Sequence, residues 1–450
     1  MDMFEEKDIF TEYPKTPQPS KKKTALVVTV CAIIVVIVAG IAFFGGTMYG
    51  REKTIDENMP MVKTILDALD RYYIDEIDWD EFQFIVAAAV AGSVDPYTGL
   101  VATSPAGMQT LAMGITFGND EYCNYKITDI APGSPASKAY NVYSDGQTGS
   151  VQLKIGDELL SIDGYPVQHL NRDSFSQIIS KTGETVELSV VRNEGSTPLF
   201  YNFSITKEMF HSPVAYYLDS DITGLPSNVG YIVLKEFGDT ACDDFAEAVD
   251  DFLNDTDKPD KLVLDLRGNG GGSTAICGFI ASYFVKQNGK TSGIPMAKYV
   301  YNAGYGDMEE TYFYTQNTYE SDVDGTMLQS FNLYDRIDGF DCVVLVNGSS
   351  ASSSELLTST LSYYCGVKSV GSQTYGKGVA QIVIPYNNAK YELYMTNGRY
   401  YIASEKNGET VFETNIHGVG LTPDIPADAS GMYYMAQDPC LLEAADYLTA

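Results

Sequence analysis

The chain has 450 residues, 44% of them apolar, enough for roughly two or three domains with cores of their own. Its 60 Asp and Glu outweigh 29 Lys and Arg to give a formal charge of −31, which repels nucleic acid and anionic surfaces over most of the molecule. The seven cysteines show no metal-type spacing, so neither a nucleic-acid-binding protein nor a metal site is expected.

Residues 1–23 are polar, with Pro14, Pro17 and Pro19, and read as a disordered cytoplasmic tail. From Thr24 to Gly50 no residue is charged, which exceeds the roughly 20 residues that cross a bilayer as helix and is longer than a signal-peptide core. Lys21, Lys22 and Lys23 precede it, so the positive-inside rule leaves the N-terminus in the cytoplasm and everything after Arg51 outside. The expectation is one uncleaved transmembrane helix over 24–50. A helical segment over 54–105 follows. Val62, Ile65, Leu66, Leu69 and Tyr72 have helical spacing, and "DWDE" at Asp78–Glu81 resembles a cap before a second helix, "FQFIVAAAVAGS".

Between Leu111 and Arg192 the pattern changes to short strands and turns, through "MGITFG", "NYKITDIAPGSPASKA", "LKIGDELLSIDGYPV" and "DSFSQIISKTGETVELSVVR". These resemble a PDZ domain in bacterial circular order, over 106–195, although "YNVYSDGQTGSVQ" is longer than that region usually is. The resemblance puts Gly114, Ile115, Thr116 and Phe117 in the carboxylate-binding loop, where backbone amides hold a peptide C-terminus while the peptide adds to the sheet edge. Otherwise Gly114 and Gly118 are turn glycines only.

Beyond 196 "NVGYIVLKEF" and "KLVLDL" read as strands around a helix, "TACDDFAEAVDDFLND"; "DCVVLVN", "SELLTSTLSYY" and "VKSVG" repeat the pattern. Two βαβ units make 196–430 an α/β domain with a buried sheet, followed by a helical tail over 431–450. Cys277 and Cys342 fall in apolar runs and read as free buried thiols; any pairing of the other cysteines stays open.

Two loops leave strand ends, where open α/β sheets tend to bind ligands. "LRGNGGGSTAI" fails the dinucleotide fingerprint, since Ser273 stands at its sixth position. Bare glycine amides can instead face an oxyanion. A tight turn needing positive φ explains one or two of Gly270, Gly271 and Gly272 more comfortably than all three. The second loop, "NGSSASSSELL", opens a helix, with Ser352 and Glu355 spaced as a capping box. A hydroxyl there also gains stabilisation for the charge it develops as a nucleophile. The stretch "GSQTYGKG", Gly371–Gly378, matches a P-loop through Lys377, but Gly378 stands where a hydroxyl would hold Mg²⁺ and a strand-like run follows, so no nucleotide cofactor is expected. His169, His211 and His417 all lie far from the serine loop in sequence, and no G-x-S-x-G is present. A Ser–Lys pair is the alternative, if Lys377 sits in a site dry enough to lower its pKa.

"KLVLDLRGNGGG", "VVLVNGSSASSSELL", "VGSQTYGKGVAQIVIP" and "HGVGLTPDI", in this order, resemble the C-terminal processing peptidases, or tail-specific proteases, of serine peptidase family 41. The similarity runs from about Pro60 to Ala427. It implies a multidomain α/β protein with a crotonase- and Clp-protease-like core and an inserted PDZ domain that often gates the site. It also implies a nucleophile at Ser352, a general base at Lys377, an orienting glutamine at Gln381 and oxyanion amides at Gly272 and Ser353. At position 353 many members have Ala, and the backbone amide is the same.

The expected function is a serine endopeptidase with no cofactor, anchored by one helix in a bacterial cell membrane and acting outside it on proteins held by their C-termini. A homo-oligomer or a regulatory partner that opens the gate stays open. The rival reading is a non-catalytic, membrane-tethered PDZ scaffold that binds C-termini.

Overall fold

The computed structural model describes residues 79–102, 110–119, 123–143, 146–194, 197–304, 307–386, 390–429 and 438–450. The cytoplasmic tail, the 24–50 apolar run and the 60–73 helix expected from the sequence lie outside them. Among the described residues no helix is long and apolar enough to cross a membrane. The chain divides into two compact units, Met1–Gln83 and Phe84–Ala450; of the first, only the start of one helix is described.

That helix, α1 (Trp79–Gly92), leads into β1 (Gly99–Ala102). A β-rich region comes next: β2 (Thr110–Ala112), β3 (Ile115–Asn119), β4 (Tyr125–Ile130), β5 (Tyr140–Val142), β6 (Thr148–Gln152), β7 (Glu158–Ile162), β8 (Tyr165–Pro166), α2 (Arg172–Lys181), β9 (Thr185–Glu194), β10 (Thr197–Thr206) and β11 (Glu208–Phe210). Its sheet runs β3-β4-β7-β9-β10-β5-β6, with β8 paired to β7 and β3 at the edge. Asp163 and Gly164, both at positive φ, turn β7 into β8, as a two-residue hairpin requires. The long "YNVYSDGQTGSVQ" segment supplies the antiparallel pair β5 and β6. The strand-and-turn reading missed one element, the helix α2, which is capped where Asn171 Oδ1 accepts from Ser174 N–H (2.9 Å). Its one apolar stripe, Phe175, Ile178 and Ile179, packs into the core under the sheet.

The α/β region follows: β12 (Ala215–Leu218), α3 (Ser220–Thr223), β13 (Val229–Leu234), α4 (Ala241–Asn254), β14 (Lys261–Asp265), α5 (Thr274–Ala281), β15 (Pro295–Gly304), β16 (Asp307–Tyr314), β17 (Thr318–Glu320), β18 (Met327–Gln329), β19 (Asp341–Val346), α6 (Ser353–Cys365), β20 (Lys368–Gly371), β21 (Val379–Tyr386), β22 (Tyr391–Lys406), β23 (Glu409–Thr414), β24 (Ile425–Pro426) and α7 (Pro439–Thr449). The central sheet runs β12-β13-β14-β19-β20-β24, parallel from β13 onward. Helices cover both of its faces, so its strands are apolar on both sides. Ile232 and Leu234 face one core with α4, α5 and α6, while Tyr231 and Val233 face another with Leu441, Ala444 and Leu448 of α7. A second sheet, β1-β22-β15-β16 with β21 and β23 also on β22, adds Met296, Ala297, Tyr400 and Ile402 to the first core. Helices α5 and α6 thus share a core with strands of both sheets.

Two features tie this framework together. Arg267, at the end of β14, is wholly buried between Asp265 (2.7 Å) and Asp438 (2.6 Å). Burial opposes its charge, but Asp265, Tyr231 and Asp438 hold it protonated, and the pair fixes α7 beneath the strand end that opens the glycine loop. The β-rich region is joined to the α/β region by Asp129 of β4, which takes Tyr216 Oη (2.6 Å) and Lys235 Nζ. Cys277 and Cys342 are buried free thiols, and the other described cysteines are free as well.

Candidate active site

The carboxyl ends of β14 and β19 are neighbours in the parallel sheet, so the two loops singled out in the sequence meet. They are stitched together by Asn347 Oδ1, which accepts from Gly268 N–H (3.0 Å), and by Asn269 O, which accepts from Ala351 N–H (3.0 Å) and Ser354 Oγ (2.8 Å). Gly271 and Gly272 adopt φ of 101° and 139°, open to glycine alone without strain. A Cβ on Gly271 would stand 2.7 Å from Ser352 Cβ, and one on Gly272 would stand 2.4 Å from Phe237 O. Gly270 has open space around it and a negative φ. Turn conformation and close approach therefore account for two of the three glycines, and the third is not sterically required. Phe237 N–H donates to Gly271 O and Ser273 N–H to Phe237 O, which leaves the Gly272 amide facing away from Phe237. Among the described hydrogen bonds neither Gly272 N–H nor Ser353 N–H has a partner.

Ser352 stands at the N-terminus of α6 with φ 56° and ψ −114°. A non-glycine residue in this region stores about 1–3 kcal/mol and persists only where its surroundings hold it. Two buried groups hold it here. Glu355, with no exposed surface, accepts through Oε2 from Ser352 N–H (2.9 Å) and Lys377 N–H (2.9 Å), and through Oε1 from Thr374 Oγ1 (2.6 Å) and Gly376 N–H (2.8 Å). Tyr400 Oη donates toward Lys377 O (2.9 Å) and Ser352 O (3.2 Å). Burial above all, with Glu355 and Cys277 adding, keeps that phenol protonated, well above its ordinary range. The "GSQTYGKG" loop, whose sequence raises the question of phosphate, turns its amides onto a carboxylate of its own chain.

Lys377 Nζ donates to Gln381 Oε1 (2.9 Å), and Gln381 Nε2 donates to Tyr97 O (2.7 Å). Nζ also lies 5.2 Å from the centre of the Tyr97 ring. Burial lowers the Lys377 pKa, against a smaller opposing pull from Asp95. Tyr97 is held by an Asp-Pro turn in which Asp95 Oδ1 accepts from Tyr97 N–H and Thr98 N–H, both at 2.7 Å. The structure thus brings Ser352, Ser353, Gly272, Lys377 and Gln381 into one neighbourhood. The loops carrying Ser352 and Lys377 are joined through Glu355 and Tyr400, and no described hydrogen bond links Ser352 Oγ to Lys377 Nζ.

Residues 228–427 match the model for Peptidase family S41. That region is similar to the family, and the match covers less than half of the chain. It is 27% identical over 293 residues to the carboxy-terminal-processing protease of Bartonella bacilliformis, covering 64% of this chain and 57% of that one. It is 27% identical over 332 residues to the carboxyl-terminal-processing protease of Synechocystis sp., covering 73% and 65%. The chain therefore spans less than two thirds of the length of these relatives. Its fold is similar to that of a crystal structure from Bacteroides fragilis NCTC 9343 assigned to the S41 proteases, with a TM-score of 0.52, 17% identity and coverage of 84% and 91%.

Outside the S41 match, Gly114 has φ 77° and precedes the edge strand β3, whose Ile115, Thr116 and Phe117 pair with β4. Phe117 packs edge-on against Phe175 of α2 (5.5 Å). Among the described hydrogen bonds none runs from a histidine to Ser352; His211 meets Asp244, and His417 lies beside Tyr97, 5.9 Å between ring centres. Sequence reasoning missed Tyr97 and Tyr400, and read Glu355 as a local cap. The one available signal was "DPYTG", an Asp-Pro turn just before a strand.

Exchanging Glu355 for Gln replaces one acceptor with an NH₂ that faces N–H or O–H donors. Glu355→Gln is expected to lower the unfolding free energy by about 2–3 kcal/mol, measured by urea denaturation. Stability equal to wild type would show that the four donors do not depend on the charge.

Proposed function

We propose that this chain is a serine endopeptidase in which Ser352 is the nucleophile and Lys377 the general base. The observation that carries the reading is the setting of Lys377: a half-buried amine with a lowered pKa, tethered by Gln381 and sharing the Glu355 carboxylate with a strained serine at a helix N-terminus. A lysine can act as base only when neutral, and burial moves it in that direction.

Ser352 Oγ attacks the scissile carbonyl as its proton passes to Lys377 Nζ. The oxyanion that forms is received by Gly272 N–H and Ser353 N–H, which are preorganised by the fold. The Lys377 ammonium then gives its proton to the leaving amine, and the acyl-enzyme is hydrolysed by water that Lys377 deprotonates in turn. Gln381 keeps one of the three Nζ positions occupied and leaves the others for Ser352 and solvent.

The β-rich region acts as a PDZ domain. Strand β3 lies at a sheet edge and follows the positive-φ Gly114, the arrangement that accepts a peptide as an added strand and holds its terminal carboxylate on backbone amides. Relatives named as carboxyl-terminal-processing proteases support the same direction of capture. Residues 24–50 anchor the chain in the membrane, with the peptidase outside the cytoplasm.

The cleavage rate of a model peptide is expected to rise with pH through one ionisation below the ordinary lysine value of about 10.4, because the deprotonated amine is the active form. Lys377→Arg, which keeps the charge but cannot yield its proton, should lose activity as fully as Lys377→Ala. Near wild-type cleavage and acylating-probe labelling by Lys377→Arg would remove Lys377 as the base. Amidating the C-terminus of the substrate is expected to weaken its capture, and equal cleavage of amidated and free-acid peptides would leave Gly114–Phe117 a structural loop. The full chain should stay in the membrane pellet through alkaline carbonate extraction while a chain starting at Arg51 is soluble; release of the full chain would remove the anchor.

A further inference from the structure

We infer that the side chain of Ser353, and not only its amide, positions the oxyanion site; the inference rests on the serine peptidase reading above. Ser353 is 1% exposed, and its Oγ donates to Gly272 O at 2.7 Å. The two residues joined by this bond are those whose amides would receive the oxyanion. Gly272 comes from the loop between β14 and α5 and Ser353 from the first turn of α6, and no described backbone hydrogen bond between these two residues sets their separation.

The surroundings give the bond leverage. On its far side Gly272 is bridged to Phe237, beyond the end of β13, through Phe237 N–H to Gly271 O (3.0 Å) and Ser273 N–H to Phe237 O (2.9 Å). On the other side Cys277 Sγ, buried on α5, lies 3.4 Å from Ser353 O. The loop is glycine at three successive positions, with φ 101° and 139° at two of them, so little in its own backbone restrains it. The Ser353 hydroxyl is a side-chain staple that fixes how far apart the two N–H donors lie. Oxyanion donors work by being held in place before the charge forms, so a staple of this kind acts on the transition state more than on the bound substrate.

Ser353→Ala retains the amide and removes only the staple. With the purified full chain and a peptide substrate, kcat is expected to fall roughly five- to tenfold, the effect of about one neutral hydrogen bond, with KM within twofold of wild type. The affinity for a peptide aldehyde of the same sequence, which forms a tetrahedral oxyanion adduct on the serine, should fall by the same factor. The pH at which the rate is half-maximal should not move, since Lys377 is untouched. Ser353→Thr, which keeps the hydroxyl, should recover most of the aldehyde affinity. Circular dichroism and the thermal midpoint report whether each variant is folded. A folded Ser353→Ala with unchanged kcat and unchanged aldehyde affinity overturns the staple while leaving the serine peptidase reading intact. Cleavage by Ser352→Ala would instead overturn that reading, and the staple with it.

Discussion

Glu355 is a buried carboxylate whose charge is met by four donors drawn from two loops, Ser352 N–H on one side and Thr374 Oγ1, Gly376 N–H and Lys377 N–H on the other. An ionised group removed from water is tolerated only when it is fully hydrogen-bonded, so these donors cannot drift from it without a large cost. The relation between the serine loop and the lysine loop is thus set by one short, rigid acceptor. Tyr400 repeats the connection from the carbonyl side. The strained backbone at Ser352 and the close approach of Gly271 to it both follow from this arrangement.

The lysine is treated differently from the glutamate. Its ammonium has no carboxylate partner among the described ion pairs, and its contacts are an amide oxygen and an aromatic face. An amide and a ring stabilise positive charge less than a carboxylate would, so burial lowers the Lys377 pKa without a carboxylate contact to offset it. By contrast Arg267, at the start of the glycine loop after β14, is enclosed by Asp265 and Asp438 and is held charged. One cation is neutralised by two carboxylates and the other is bound by neutral groups.

Much of this was visible in the chain itself. The strands β13, β14 and β19 read clearly because burial on both faces makes them continuous apolar runs, and α4 and α6 carry enough regular spacing to be recognised. Helix α2 was missed because only Phe175, Ile178 and Ile179 mark its buried face in an otherwise polar segment. In the candidate site, Ser352, Lys377 and Gln381 stand out in the sequence because they sit in the stretches that carry the family resemblance. Tyr97 and Tyr400 are not, since an aromatic wall or a phenol between two carbonyls is indistinguishable in sequence from any of the chain's other 31 tyrosines until the fold places it. Glu355 was half legible: its bond to Ser352 N–H is local, whereas its bonds to 374–377 depend on β20 returning beside β19.

The Gln381–Tyr97 hydrogen bond joins positions 284 residues apart, across the whole β-rich region and most of the α/β domain. Contacts of such separation close late, because the entropy of the intervening chain opposes them until the elements between are ordered. During synthesis the serine loop emerges before its lysine, and the lysine before Tyr400 of the strand that packs behind both. A nascent chain therefore carries the serine without the dry setting of the lysine. The order of assembly thus separates the serine from its completed surroundings until the domain has folded.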